Sequence, residues 1–192
     1  FIFDDAILEH LPKDDARVTF IYESLSKINE KLAEFGSSLL VKKGKTQDVW
    51  QQLITEFEVK VLFFNKDYEP YAINRDQHIT ELLAQNGVKV QAFKDQVIFE
   101  EAEITKADGL PYTVYTPYKN KWLEKYKTIA PVTEHETTVF SENWLASSFV
   151  FPSLSAIGFE TSSIKVKPHN LTKIANYHET RDFPALDTTS YL

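Results

Sequence analysis

The stretch Val59-Lys-Val-Leu-Phe-Phe64 decides the fold, because it places apolar side chains on both faces of an extended segment. Such a strand is typical of a parallel sheet that is covered by helices on both sides. A polar loop, Asn65-Lys-Asp-Tyr-Glu-Pro70, follows it, and a helical pattern then runs to Asn86-Gly87. Residues 88–93 are the next predicted strand. This order of strand, loop, helix and strand predicts a right-handed βαβ unit.

The residues before this unit repeat the same alternation. The predicted elements are a strand at 1–4, a helix that starts at Asp14 or Asp15, a strand at 38–42, and a helix N-capped by Thr46. We therefore predict a doubly wound α/β fold in which four parallel strands share one sheet. A first strand–helix pair is expected upstream of Phe1, and the chain is interpreted as a fragment of a longer protein.

The regular spacing of apolar residues that indicates strands and helices is lost in the second half of the sequence. We predict an α/β domain at 1–127 and an interdomain linker at 128–170, which is rich in Thr, Ser and Pro and lacks periodicity. A short last helix is expected from Leu171 to about Glu179. Residues 171–192 would then begin a further domain.

Composition excludes several classes of protein. The 192 residues contain no cysteine, which excludes a disulfide framework, a thiolate metal site and a cysteine nucleophile. The five histidines are scattered, so no metal site is predicted. The sequence has five glycines and no glycine-rich phosphate-binding motif. Its net charge of −7 argues against extensive non-specific binding of nucleic acid, and no apolar run is long enough to span a membrane.

Two segments carry candidate chemistry. The loop after residues 59–64 holds Asp67, Tyr68 and Glu69 at the carboxyl end of a buried strand, where open α/β sheets bind their ligands. A solvated loop is the alternative interpretation. Residues 112–122 interleave aromatic and basic side chains, which suits either nucleic-acid stacking or the packing of a connecting element onto its neighbour.

Three motifs resemble those of the DNA photolyase and cryptochrome family. They are Phe64-Asn-Lys-Asp-Tyr-Glu-Pro-Tyr-Ala-Ile-Asn-Arg-Asp76, Tyr115-Thr-Pro-Tyr-Lys-Asn-Lys-Trp122, and Arg181-Asp-Phe-Pro-Ala185 followed by Thr189-Ser190. Arg17-Val-Thr-Phe-Ile21 in the first helix adds to the resemblance, which spans essentially the whole chain. It implies the Rossmann-like antenna domain of a photolyase, the interdomain linker, and the start of the helical FAD-binding domain.

The resemblance also implies an activity, namely blue-light-driven electron transfer from reduced FAD to a cyclobutane pyrimidine dimer that is flipped out of damaged DNA. The flavin-contact positions of the family fall on Tyr177, Thr189, Ser190 and Leu192. The resemblance assigns no catalytic residue to this chain. The intact enzyme is expected to be a cytoplasmic monomer that binds DNA through the domain beyond Leu192, whereas the chain alone is expected to be inactive.

An antenna chromophore is the second cofactor that the resemblance implies. Family members that bind folate have an Asn-Glu pair where this sequence has Tyr71 and Ala72, so folate binding by that route is not expected. His10 corresponds to another folate contact after a gap. Asp67, Tyr68 and Glu69 are the expected neighbours of a chromophore, with folate, deazaflavin, flavin or no antenna left open.

Two alternative functions remain at this point. A cryptochrome-type photoreceptor would share these motifs without repairing DNA. A generic nucleotide-binding α/β module would share the alternation of strands and helices but would need a phosphate-binding loop that this glycine-poor sequence lacks.

Overall fold

The computed structural model describes residues 1–129, 136–166, 171–183 and 185–186. In chain order its helices and strands are β1 (Ile2–Asp4), α1 (Asp5–Leu8), α2 (Ala16–Ala33), β2 (Lys42–Gly44), α3 (Thr46–Glu56), β3 (Val61–Asn65), α4 (Pro70–Gln85), β4 (Lys89–Phe93), α5 (Tyr115–Tyr126) and α6 (Tyr177–Thr180). A 3-10 turn at Glu101–Glu103 follows β4, and further 3-10 turns lie at Thr137–Asn143 and Leu171–Lys173. The chain folds as two compact units, one of residues 1–6 and 42–145 and the other of residues 7–41 and 146–192.

All strand pairs of the first unit are parallel, as predicted. β1 pairs with β2, with Ile2 opposite Lys42, and β3 pairs with β4, with Phe64 opposite Ala92. Among the described residues these are two separate two-stranded sheets, and they do not form the single four-stranded sheet that was expected.

The second strand also begins later than predicted. Residues 38–41 were expected to belong to it, yet β2 starts at Lys42. The Ser38 hydroxyl instead lies 2.9 Å from that of Ser147 and accepts a hydrogen bond from the Phe149 N–H. The Leu39 N–H donates to the side chain of Asn29 at 2.8 Å. These contacts belong to the second unit, and they take the apolar run out of reach of a strand partner.

The carboxylate of Asp4 joins three elements of the first unit at the end of β1. It accepts hydrogen bonds from the Ala6 N–H at 3.1 Å, the Thr46 hydroxyl at 2.8 Å and the Tyr71 hydroxyl at 2.5 Å. Thr46 is thus the first residue of α3 and not its N-cap, which is Lys45. Because its hydroxyl serves Asp4, it is not available to cap the helix. Asp4 itself is buried.

A compact apolar core holds α4 against β3 and β4. Ile79, Leu83 and Val88 are buried at its centre, and Trp50, Ile54, Val59, Leu62 and Val90 pack around them. The helix ends at Gln85, as predicted, and is followed by Asn86 and Gly87; the φ of Gly87 is 73°, which a residue with a side chain would adopt only with strain. The Val88 N–H then bonds back to the Leu83 carbonyl at 2.9 Å, which directs the chain into β4.

The second unit is built on α2. The helix was predicted to start at Asp14 or Asp15; it begins at Ala16, and Asp15 is its N-cap and accepts from the Arg17 N–H at 2.9 Å. Residues 146–162 return to this unit, where the Glu160 N–H donates to the Lys13 carbonyl and the Ser162 N–H donates to the Thr19 hydroxyl. This part of the predicted linker contributes the buried side chains of Leu154, Ile157 and Phe159.

The last predicted helix is interrupted. In place of a helix over 171–179 the structure has a 3-10 turn at Leu171–Lys173 and the single turn α6. The Ile174 and Tyr177 N–H groups bond to carbonyls three residues before them, which is the tighter 3-10 pattern. The side chains of α6 are not buried, so little packing supports a longer helix.

Substituting Asp4 by alanine tests the importance of its carboxylate. We expect a loss of about 2 kcal/mol in the free energy of unfolding, because two hydroxyl donors would lose a buried charged acceptor. Urea denaturation measures this quantity. Asp5→Ala is the matched control: Asp5 is partly exposed and pairs with Lys43 at 3.6 Å, so its loss should cost less than about 1 kcal/mol. Equal losses in the free energy of unfolding for the two variants would contradict the structural role assigned to the Asp4 carboxylate.

The hydrogen-bonded Asp15 carboxylate predicts that the stability of the fold depends on pH in the acidic range. Hydrogen bonds from the Arg17 side chain, at 2.7 and 3.0 Å, lower the pKa of Asp15 from 3.8 to about 2. Its contribution should be complete above about pH 4 and should disappear as pH falls toward 2, since the folded state then binds the proton less readily than the unfolded state. Thermal unfolding of Asp15→Asn, which keeps the cap acceptor without the charge, should show a weaker acid dependence. The exposed neighbour variant Asp14→Asn should behave like the wild type in this respect.

Candidate functional site

A cavity of the first unit opens where β3 ends. It has a volume of about 650 Å³ and lies between the loop after β3, one side of α4, and the segment Glu100–Glu103. This is the carboxyl end of a parallel strand, where open α/β sheets bind ligands. The volume lies within the range of pockets that hold cofactor-sized molecules.

The pocket is lined by apolar side chains and by polar and charged ones. Phe64 and Ala92 come from paired positions of β3 and β4, Ile73 comes from α4, and Ala102 comes from the 3-10 turn. On α4, Gln77 and Thr80 add an amide and a hydroxyl, as expected for residues one turn apart on one helix face. The surface suits a flat ring that is also hydrogen-bonded at its edge.

One wall is organised by Glu100. Its carboxylate accepts hydrogen bonds from the Lys66 ammonium at 2.9 Å and from the Tyr68 hydroxyl at 3.0 Å. These two bonds, that of Lys66 first, lower the pKa of Glu100. Partial burial and the bond to Glu100 raise the pKa of Tyr68. At neutral pH the wall therefore presents an ion pair and a neutral phenol.

Glu103 holds the 3-10 turn in place. Its carboxylate accepts from the Lys94 ammonium and from the Glu100 N–H, and these bonds lower the pKa of Glu103. The Lys125 ammonium of α5 donates to the Glu103 carbonyl at 2.9 Å and lies 5.0 Å from the ring centre of Phe99. These contacts hold the 3-10 turn against α5 and against Lys94, the residue directly after β4.

The structure brings together two of the three loop residues that the sequence predicted. Asp67 and Tyr68 line the pocket. Glu69 does not: it occupies the N-cap position of α4, is exposed, and donates its N–H to the Asp67 carboxylate at 3.2 Å. The segment Phe99-Glu-Glu-Ala-Glu103 was not predicted as part of the site. Its three acidic residues within four positions were the signal that could have indicated it.

The positions that match the folate-contacting pair, Tyr71 and Ala72, differ in exposure: Tyr71 is 44% exposed and Ala72 is buried. Ala72 is buried, and the Tyr71 hydroxyl is hydrogen-bonded to Asp4. Burial of the phenol and this bond raise the pKa of Tyr71 to about 12, so the hydroxyl stays protonated at neutral pH. Neither residue provides the amide or carboxylate that a folate would require there.

None of the remaining candidate residues is among the described residues that line the pocket. Thr189, Ser190 and Leu192 fall outside the described residues, and Tyr177 at the start of α6 is exposed. His10 belongs to the second unit, where it is exposed and lies 3.3 Å from Glu9. The FAD-contact assignments and the assignment of His10 to an antenna therefore remain predictions.

The aromatic and basic segment acts in part as a packing element. Trp122 of α5 contacts Phe99 edge-on at 5.4 Å and stacks on Tyr126 at 5.0 Å. Tyr115 is 73% exposed. In the described part of the chain, no group of three potential ligand side chains could hold a metal ion. None of the described helices is long and apolar enough to cross a membrane.

Comparison with curated proteins gives relatives along the whole chain. The deoxyribodipyrimidine photo-lyases of Synechococcus and Halobacterium salinarum are each 27% identical over the complete chain, which covers 43% and 42% of their lengths. A (6-4)DNA photolyase of Arabidopsis thaliana is 27% identical over 75% of the chain, which covers 26% of that protein. The chain thus spans about two fifths of the length of the first two relatives.

Solved structures show the same fold. A class III photolyase of Agrobacterium tumefaciens superimposes on 98% of the chain with a TM-score of 0.66 and 22% identity, covering 42% of that protein. An archaeal photolyase of Sulfolobus tokodaii, solved with two FAD molecules, matches 63% of the chain at 26% identity with a TM-score of 0.51, covering 27% of that protein. The profile of the DNA photolyase family matches residues 1–137, and the chain belongs to that family.

Proposed function

We propose that this chain is the N-terminal antenna part of a photolyase that repairs cyclobutane pyrimidine dimers with light and reduced FAD. Support comes from the family match over residues 1–137 and from relatives named deoxyribodipyrimidine photo-lyase that align with the complete chain. The domain boundaries at 127 and 170, a cytoplasmic location and a monomeric state belong to the same proposal. The repair step would take place on damaged DNA bound by the part of the protein beyond residue 192.

The pocket after β3 is the observation that carries the antenna role. It combines apolar walls from Phe64 and Ile73 with the polar side chains of Asp67 and Tyr68 at a strand end. These features suit a conjugated ring, because the walls exclude water from its faces while the polar groups fix its edge. The positions of Tyr71 and Ala72 support a chromophore other than one held by a folate-type Asn-Glu pair.

Within the proposal, FAD supplies the electron that splits the dimer. The residues of this chain assigned to its contacts are Tyr177, Thr189, Ser190 and Leu192, which offer hydroxyl and backbone groups suited to phosphate oxygens. All of them lie within the last sixteen residues of the chain. Binding of FAD by the chain alone is therefore not expected, since so few contacts would not offset the lost freedom of the ligand.

Light-dependent repair by the intact protein tests the proposed activity. We expect DNA carrying a thymine cyclobutane dimer to be restored under blue light and not in the dark, as measured by chromatography of the repaired strand. DNA carrying a (6-4) lesion serves as the comparison substrate, because an Arabidopsis relative acts on that lesion by name. Repair of the (6-4) lesion without repair of the cyclobutane dimer would show that the proposed substrate is wrong. Repair of neither lesion by flavin-loaded protein would favour a cryptochrome-type receptor.

The antenna role predicts that the loop carboxylates affect chromophore content. In the intact protein, Asp67→Ala combined with Glu69→Ala should lower antenna occupancy, measured by near-ultraviolet absorbance relative to FAD. Most of the loss should follow from Asp67, because it lines the pocket whereas Glu69 lies outside it. A lost charge-assisted hydrogen bond should weaken binding by about tenfold or more.

A matched control separates this effect from a general loss of acidic charge. Glu58→Ala removes an exposed carboxylate of the same unit that pairs with Lys60 away from the pocket. Its antenna content should equal that of the wild type. An unchanged occupancy in the double variant would place the chromophore elsewhere.

A further inference from the structure

The charge around the pocket after β3 indicates which ligands it selects, an inference that rests on the antenna role proposed above. Six carboxylates and one ammonium group line it. The carboxylates are those of Asp67, Asp76, Glu81, Glu100, Glu101 and Glu103, and the ammonium is that of Lys66. A ligand that enters the pocket therefore meets an excess of negative charge.

Neighbouring cations neutralise half of these carboxylates. Glu100 pairs with Lys66 at 2.9 Å, Asp76 with Arg75 at 2.8 Å, and Glu103 with Lys94. These pairs use the lining ammonium and two cations from outside the pocket. No lining cation is left over for the acidic group of a ligand, since Lys66 already serves Glu100.

The other three carboxylates keep their charge uncompensated. Within the described ranges, no lysine or arginine forms an ion pair with Asp67, Glu81 or Glu101. Asp67 accepts the Glu69 N–H at 3.2 Å, and Glu81 accepts the Gln77 amide at 3.0 Å. These neutral donors orient the carboxylates without cancelling their charge.

We infer that the pocket binds an uncharged heteroaromatic ring that is rich in hydrogen-bond donors and carries no phosphate. The apolar walls of Phe64, Ile73 and Ala92 contact the faces of such a ring. The free oxygens of Asp67 and Glu101 accept from N–H and hydroxyl groups on the ring and its side chain, since ionised carboxylates are acceptors only. A phosphate would be repelled by three carboxylates and would find no free cation among the lining residues.

Riboflavin and FMN form a matched pair of probes, because they share the ring and the ribityl chain and differ by one phosphate. Titration of the 192-residue chain with each, followed by flavin fluorescence, should give riboflavin about tenfold tighter binding at low salt. The ratio should shrink as salt is raised, because the repulsion at this open pocket is screened. Tighter binding of FMN, or binding of neither flavin, would overturn the inference.

Variants that neutralise individual carboxylates test which of them select against a phosphate. Glu81→Gln combined with Glu101→Gln should reduce the preference for riboflavin several-fold by improving FMN binding, since both side chains are exposed and neither forms an ion pair in the described structure. Glu58→Gln combined with Glu124→Gln removes the same charge away from the pocket and should leave the ratio close to that of the wild type. An unchanged ratio in the pocket variant would contradict the proposed selection.

A variant that fills the cavity tests whether the ligand binds there. Ala102→Phe should abolish the binding of both flavins, because Ala102 is an exposed residue of the pocket wall and the larger ring would enter the cavity. Retained binding in this variant would contradict the site. These measurements report ligand selection and not repair, so their failure would leave the proposed activity of the intact protein to be judged by its own assay.

Discussion

The first unit depends on one buried carboxylate. Its two strand pairs share no ladder hydrogen bonds in the described structure, so other contacts must hold them together. α3 packs on β1, β2 and α4, and Asp4 at the end of β1 accepts from the first turns of both helices through Thr46 and Tyr71. A charged acceptor with two hydroxyl donors costs little to bury only while every partner stays in place. Asp4 therefore joins the end of β1 to the first turns of α3 and α4, and α4 also forms one side of the pocket.

The same carboxylate engages the first turn of α4. That turn provides the Tyr71 hydroxyl to Asp4 and the buried side chain of Ala72 to the interior. The residues that line the pocket lie further along α4, at Gln77 and Thr80, and on the turn after β4.

The errors of the sequence predictions share a physical cause. Residues 38–41 have the composition of a strand, and Thr46 has the chemistry of an N-cap, yet both are engaged by partners that are distant in sequence. Ser38 meets Ser147, and Thr46 meets Asp4. Local propensity describes what a segment favours when no such partner competes, and a buried hydrogen bond outweighs it.

Periodicity and turn chemistry predicted the alternation of strands and helices and the end of α4 before Asn86-Gly87, and three short sequence motifs carried the family resemblance. Each depends on residues within a few positions of one another, so the sequence contains the necessary information. Only the tertiary structure decided that the strands form two pairs. It also decided that Asp67 and Tyr68 line a cavity while Glu69 does not, and that Glu100 pairs with Lys66 in the wall of that cavity. These features depend on which distant segments meet, because a side chain's charge and exposure are set by neighbours that sequence spacing does not reveal.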